Sequence, residues 1–400
     1  MILRPLLLIL TVGLAMIAPR SALAQTGLQP EAPRTQLVQS IPVETDLADP
    51  DLPFAREVWV AMIRGARTSF EAAEFYVTNR PGSALETVLA ELESAGKRGV
   101  KVRFLLSSRM LEQDPASVAR LRGIPGAEVR SFDLAGVSTG ILHAKYFLVD
   151  GREAFLGSQN FDWRALEHIH ELGVRTTEPV IVSRLSRLFA IDWAFAAERK
   201  LNAFPVQPRP SARSKVELVA SPPFLTPKDI RPSIEALLDL LDQAKLTVRV
   251  QLLTYSPISG QDRYWPVLDN ALRAAAVRGV KVKLLVSDWV LGGRALPHLK
   301  ALTLIPNLEV RVASIPEAKE GHIPFARVIH SKYLVADGEH LALGTSNWEE
   351  SYFSGSRNLE LVFRDTPLAN QAAAVFDRLW GSRYAFALEP LTAYEKRKVD

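Results

Sequence analysis

The sequence predicts an α/β protein built as two tandem α/β/α sandwich units related by a pseudo-two-fold axis. Three observations lead there. A set of residue spacings occurs twice, at a nearly constant offset. Within each copy, helical segments alternate with short apolar runs of strand type, the pattern of a sheet covered by helices. The 400 residues are 48% hydrophobic and 23% charged, which excludes a disordered or fibrous chain.

Residues 1–24 come first and read as an export signal. Arg4 supplies a basic start, Pro5 to Ala18 is apolar, and Ala22-Leu23-Ala24 is a small-x-small cleavage pattern before Gln25. The apolar run is too short to span a bilayer comfortably, so the chain is expected to be periplasmic or secreted. Residues 25–52 are proline-rich and are expected to form an extended tail or a wrap across the surface. The first unit is assigned to 53–204, a proline-rich linker to 205–229, the second unit to 230–390 and a tail to 391–400.

The duplication carries the two units. Arg98-Gly99-Val100-Lys101-Val102 returns 180 positions later as Arg278-Gly279-Val280-Lys281-Val282. His143-x-Lys145 returns 187 positions later as His330-x-Lys332, and Phe189 and Trp193 return at the same offset as Phe376 and Trp380. Each copy then reads alike: a helix near 56–66 or 232–245, a β-rich run at 69–77 or 246–255, and a second helix near 85–98 or 265–278. Gly99 or Gly279 stops that helix, and an apolar strand follows at 100–106 or 280–286. Strand–helix–strand alternation implies a buried, largely parallel sheet.

Charge and cysteine content exclude several functions. Forty-eight basic against 44 acidic residues give a net charge of only +4, so nothing indicates a nucleic-acid coat protein. There is no cysteine, which removes disulfides, thiolate zinc sites and cysteine nucleophiles together.

The chemistry concentrates in Ile141 to Asn160. Two apolar runs flank Asp150-Gly151, a strong hairpin signal. Alternation along a strand puts His143 and Lys145 on one face, and Ser158 and Asn160 on one face. A two-residue turn would set His143 opposite Ser158 and bring all four side chains together. In the second copy, Asp337-Gly338 sets His330 opposite Thr345, with Lys332 and Asn347 alongside. Lysine and asparagine are donors suited to phosphate oxygens. A neutral histidine can attack phosphorus, and a second, protonated histidine can donate to the leaving oxygen. Two such sets facing across a two-fold would surround one phosphodiester. Charge stabilisation would come from the lysines and amides, so neither a metal nor another cofactor is expected.

The stretches His143-x-Lys145-x4-Asp150 with Gly157-Ser158-x-Asn160, and His330-x-Lys332-x4-Asp337 with Gly344-Thr345-x-Asn347, resemble the paired motifs of the phospholipase D superfamily. The resemblance covers roughly residues 53–389. It implies a phosphohistidine mechanism with His143 and His330 as nucleophile and general acid, and His143 is assigned the attack. It implies that Lys145, Lys332, Asn160 and Asn347 hold phosphoryl oxygens, supported by Ser158 and Thr345. Asp150 and Asp337 complete the catalytic motifs from a turn, where a structural role is expected. It also implies a glutamate orienting each histidine, for which Glu171 and Glu360 are the candidates.

Phe161-Asp162-Trp163-Arg164, Glu171-Leu172-Gly173-Val174, Ile323-Pro324-Phe325-Ala326-Arg327, Asn347-Trp348 and Tyr352-Phe353 resemble, more narrowly, the lysosomal phospholipase-D-type 5′ exonucleases. That implies an exported exonuclease on single-stranded nucleic acid, with Phe161, Trp163, Trp348, Tyr352 and Phe353 as stacking candidates. Arg164, Arg327 and Arg357 are candidates for flanking phosphates. The alternative is a phospholipid hydrolase or phosphatidyltransferase with the same catalytic residues, which calls for an apolar loop at the site mouth. Ile315 to Phe325 is the candidate loop, but Glu317, Lys319, Glu320 and His322 interrupt it. His168 and His170 are expected to be packing or surface residues. No protein partner is required, because the duplication completes the site within one chain.

Overall fold

Two mixed sheets of the same strand order form the framework. The first runs Thr35–Ser40, Ile169–Thr176, Glu153–Gly157, Tyr146–Val149, Ser69–Glu74, Lys101–Ser107, Ala127–Phe132. The second runs Val216–Ser221, Asn358–Arg364, His340–Gly344, Lys332–Ala336, Thr247–Leu252, Lys281–Ser287, Leu308–Ala313, with Ala385–Ala387 added at its edge. This computed structural model describes residue 1 and residues 34–200 and 214–400. The export signal, the start of the 25–52 segment and most of the first half of the expected linker lie outside the described residues.

The helices fall where their periodicity puts them, at Ala55–Gly65 and Ala84–Lys97 in the first copy and Ser233–Gln243 and Val267–Val277 in the second. Gly99 and Gly279 follow the second helix of each copy at φ +90° and +95°, a left-handed conformation that glycine adopts without Cβ strain.

The expectation of a largely parallel sheet needs correction. Along each main sheet the strands joined by a helix pair in parallel, such as Ser69–Glu74 with Lys101–Ser107 and that strand with Ala127–Phe132. The hairpin strands that follow pair antiparallel. The tail and linker assignments also change. Thr35–Ser40 pairs antiparallel with Ile169–Thr176, and Val216–Ser221 with Asn358–Arg364. Each is a sheet edge with buried residues, Leu37 and Val38 in one, Leu218 and Val219 in the other. Prolines near these short strands hid them, yet prolines flank a sheet edge readily.

Three apolar clusters follow from the layers. One fills the outer face of the first sheet around Trp59, Phe70 and Leu89. A second fills the outer face of the second sheet around Leu241, Val250 and Leu272. The third is shared, drawing Tyr146 and Phe189 from the first copy and Leu343 and Phe376 from the second. Residues 34–400 accordingly form one compact unit.

Both hairpins slip by one residue from the expected register. Val149 pairs with Glu153 and Ala336 with His340, so each turn holds three residues. Asp150 and Gly151 adopt φ +53° and +60°, and Asp337 and Gly338 +54° and +68°. A one-residue slip exchanges faces along a strand, so Ser158 and Asn160 do not share the face of His143 by sheet pairing. Strand pairing ends at Gly157 and Gly344, and three residues further on Asn160 and Asn347 line the site. The two glycines are forced by close approach: a Cβ at Gly157 would lie 2.8 Å from Gly173 Cα, and one at Gly344 would lie 2.2 Å from the Leu359 carbonyl oxygen.

Candidate active site

His143 and His330 stand just before the first hairpin strand of each copy, and each is pinned by the other copy. The His143 N–H donates to the Arg357 carbonyl and the His330 N–H to the His170 carbonyl, both at 2.9 Å. The offset of 187 relates both pairs, so the contact is reciprocal, as a pseudo-two-fold requires. The two imidazoles line one cavity of about 330 Å³ together with Asn160 and Asn347. Both histidines, both lysines and both asparagines are buried.

The groups behind the two histidines differ. His330 Nδ1 lies 2.9 Å from each oxygen of Glu171. His143 Nδ1 lies 3.0 Å from Oδ1 of Asn358. The Asn358 amide nitrogen donates to the carbonyls of Tyr352 at 2.9 Å and Ser356 at 3.4 Å, which fixes the amide orientation. Oδ1 therefore faces His143, and an oxygen acceptor there requires the proton on Nδ1. The Nε2 lone pair of His143 is left free to act.

Ser158 and Thr345 sit behind these partners. Ser158 Oγ bonds the Leu172 backbone at 3.2 Å beside Glu171, and Thr345 Oγ1 donates to Asn358 Oδ1 at 2.9 Å. Like Lys145 and Lys332, neither lines the cavity; the two hydroxyls contact the residues behind the histidines. Glu360 does not orient a histidine. It accepts from the Ser346 N–H at 3.2 Å and from the Ser346 hydroxyl. Asn358 takes the expected place, and the signal for it was available, because 187 positions after Glu171 comes Asn358.

Burial shapes every titration here. It pushes His143 well below the ordinary histidine range, with Lys145 and Lys332 adding to the shift. It does the same to His330, with help from Lys332. It lowers Lys145 to about 7 and raises Glu171 to about 7. Lys332 is pushed well below its usual value by burial, against the pull of Glu171. Lys145 Nζ donates to the His143 carbonyl at 2.7 Å, whereas Lys332 Nζ makes no hydrogen bond among the described residues.

The family model for the cardiolipin synthase, phospholipase-D-like domain matches residues 59–193 and 237–380. The chain belongs to the phospholipase D superfamily. It is 33% identical to phospholipase D Z of Dictyostelium discoideum over 394 residues, covering 90% of this chain and 91% of that one. It is 33% identical to the 5′-3′ exonuclease PLD3 of Bos taurus, covering 88% and 80%, and 31% identical to the human 5′-3′ exonuclease PLD4, covering 92% and 81%. Among solved structures, phosphatidylserine synthase of Haemophilus influenzae Rd KW20 superposes with a TM-score of 0.61 at 12% identity, covering 83% and 85%, a likeness of fold. As a superfamily member the protein is a phosphodiester hydrolase or transferase.

The motif aspartates Asp150 and Asp337 bond backbone groups and lie outside the cavity lining. Burial opposes the charge of Asp150, but the N–H groups of Arg67, Thr68 and Ser69 outweigh it and hold the carboxyl below its usual range. Asp337 is held likewise by Lys245, Leu246 and Thr247. Each ties its hairpin turn to the start of the neighbouring strand, away from the cavity.

Of the five proposed stacking aromatics, only Tyr352 lines the cavity. Its ring meets His143 edge-on at 5.0 Å. Phe161 is buried against Trp59, Trp348 and Phe353 lie in the second outer core, and Trp163 packs under Arg80 at 3.7 Å. The cavity instead takes Phe75, Tyr76, Trp289 and Phe325, which lie outside the hairpin motifs. Arg164 reaches the cavity, but Asp162 holds it at 2.9 Å. Arg327 bonds the Pro316 and Val43 carbonyls, and Arg357 forms a fully buried ion pair with Asp192. His168 and His170 are buried outside the cavity lining. Among the described residues, no group of three or more histidine, aspartate or glutamate side chains is placed to hold a metal ion.

Proposed function

We propose that the protein is a metal-independent exonuclease on single-stranded nucleic acid, acting through a covalent phosphohistidine. The observation that carries this reading is the unequal pair of histidines facing one aromatic-walled cavity. His143 Nε2 attacks phosphorus and the bond from phosphorus to the leaving oxygen breaks. His330 gives that oxygen its proton. Water then attacks the phosphohistidine, His330 takes the water's proton, and the P–N bond breaks. An amide cannot stabilise an imidazolium as a carboxylate does, which suits Asn358 to a neutral nucleophile and Glu171 to an acid. Burial disfavours the charged His330 in the empty site, and an incoming phosphodiester anion would reverse that preference. Lys332 Nζ, which has no hydrogen-bond partner among the described residues, and the side-chain N–H of Asn160 belong to the phosphate-binding set in this mechanism.

Nucleic acid is favoured over lipid by the walls. Phe75, Tyr76, Trp289, Phe325 and Tyr352 line the cavity, and aromatic side chains of this kind stack on bases. The candidate membrane loop buries Ile315, Ala318 and Ile323 and exposes only Phe325 of its large apolar side chains. Relatives bear the name 5′-3′ exonuclease. Export is part of the proposal and rests on residues 1–24 alone.

The test is turnover by purified protein in chelator. One reaction holds a 5′-hydroxyl single-stranded oligonucleotide, and the other holds phosphatidylglycerol–phosphatidylcholine vesicles with glycerol. Stepwise nucleotide release, lost in His143→Ala and His330→Ala proteins that remain folded, is the expected result. A phosphatidyl product instead would move the protein to the phospholipid branch, and strict dependence on added divalent metal would sink the mechanism.

A further inference from the structure

Phe325 is held in a conformation that bulky residues avoid. Its φ is +59°, and Arg327 two positions on has φ +54°. For a large L-residue the left-handed region is a strained outlier that persists only where surroundings enforce it. Phe325 is also 44% exposed, although it lines the catalytic cavity. Its ring meets Trp289 edge-on at a centroid distance of 6.4 Å, and Trp289 packs on the apolar patch of Ile169, Leu253 and Val328. One side of the cavity mouth is thus an aromatic rim.

The enforcing contacts come from residues assigned on sequence to a tail. The Phe325 N–H donates to the Val399 carbonyl at 2.8 Å. Arg397 pairs with Asp288, the neighbour of Trp289, and donates to Ser314 Oγ at 2.9 Å. Its other nitrogen reaches the Ile315 carbonyl at 3.2 Å and the Arg327 carbonyl at 3.5 Å. One guanidinium therefore ties together the turn that carries Trp289 and both feet of the loop that carries Phe325. Asp288 is nearly inaccessible while Arg397 is half-buried, and Ser314 donates to the same oxygen at 2.6 Å, so this is a partly buried, charge-assisted junction.

We propose that Arg397 is a positioning residue which, with the strand of chain around Val399, holds Phe325 and Trp289 as a base-stacking rim beside the scissile phosphate. The proposal rests on the single-strand reading above and deepens it by assigning recognition of a flanking base. The phosphate machinery then serves any diester, and the rim selects diesters that carry a flat group next to it.

The experiment compares two single strands that differ only in lacking the bases of the two terminal nucleotides. Wild-type protein should show a KM about tenfold higher on the abasic strand, the value expected for one lost stacking contact. Phe325→Ala and Arg397→Ala should raise KM on the normal strand to the abasic level and remove the discrimination, and Arg397→Ala, at a residue outside the cavity lining, should leave kcat on the abasic strand unchanged. Arg397→Lys keeps a cation beside Asp288 but loses the carbonyl contacts, and it should lose most of the discrimination if Arg397→Ala does not fold. Full discrimination retained in folded Arg397 variants would overturn the proposal. If the wild-type protein turns over neither strand, the nuclease reading has failed and positioning is read by hydrogen exchange. Arg397→Ala must then speed exchange at the Phe325 amide, and unchanged exchange there overturns the positioning role.

Discussion

At the level of single residues, two otherwise equivalent histidines differ in the group behind each, Glu171 for His330 and Asn358 for His143, and in the proposed mechanism that difference divides their labour. Glu171→Gln keeps the shape behind His330 and removes the charge that would stabilise its imidazolium. Turnover should fall about 10–100-fold in kcat, as for other orienting carboxylates. Glu360→Gln, whose carboxylate touches Ser346 rather than a histidine, should change kcat far less. Equal losses in the two variants would return Glu360 to the orienting role. The cations give a pH prediction. Burial lowers Lys145 to about 7, so its charge is present below that pH and lost above it. A cation that stabilises phosphoryl oxygens helps only while charged. A profile of kcat/KM for the free enzyme should therefore fall on an alkaline limb beginning near pH 7, and a flat profile to pH 9 would exclude it. His143, Lys145, His330 and Lys332 were readable in the sequence because chemistry fixes their type and duplication fixes their spacing. Asn358 was passed over because a search for a second glutamate looks for like residues, whereas the site needs unlike partners.

Elements were legible where periodicity sets them and illegible where a neighbour across the fold does. The paired helices appear within a few residues of their expected bounds. The edge strands Thr35–Ser40 and Val216–Ser221 do not announce themselves, because each is a short run among prolines that becomes a strand by pairing with a distant segment. The hairpin register slipped because Asp150 and Asp337 accept from three backbone N–H groups each, which favours a three-residue turn over the tighter one. Arg357 was likewise misplaced as a phosphate contact. It joins the helix Pro179–Glu198 of the first copy, through Asp192 at 2.7 Å, to the second, and it also bonds the Ser221 and Leu225 carbonyls. Burial raises the Asp192 carboxyl, and Arg357 pulls it back down. Arg357→Ala strands that carboxylate and should cost about 3–5 kcal/mol, read as a lower urea midpoint. Asp192→Asn combined with Arg357→Met removes both charges and should recover much of the loss. A single variant as stable as wild type would mean the pair links the copies without stabilising them.

The whole molecule carries out with one chain what facing copies of one unit would need a dimer to do. The orienting group of each histidine comes from the other copy, Asn358 for His143 and Glu171 for His330, and so do the backbone bonds that hold them. The shared core sits between the two sheets, and its residues come from both copies in register. Neither copy alone supplies both a histidine and the group that orients it. Duplication also frees the two halves to diverge, which explains why one histidine can keep a carboxylate and the other an amide. This arrangement predicts the outcome of mixing two inactive proteins. Equimolar His143→Ala and His330→Ala, purified separately and combined at any ratio, should stay inactive, because each chain lacks one histidine from a site closed within itself. Turnover that appears on mixing and rises with concentration would show halves exchanged between chains. It would transfer the site from the monomer to a pair of molecules.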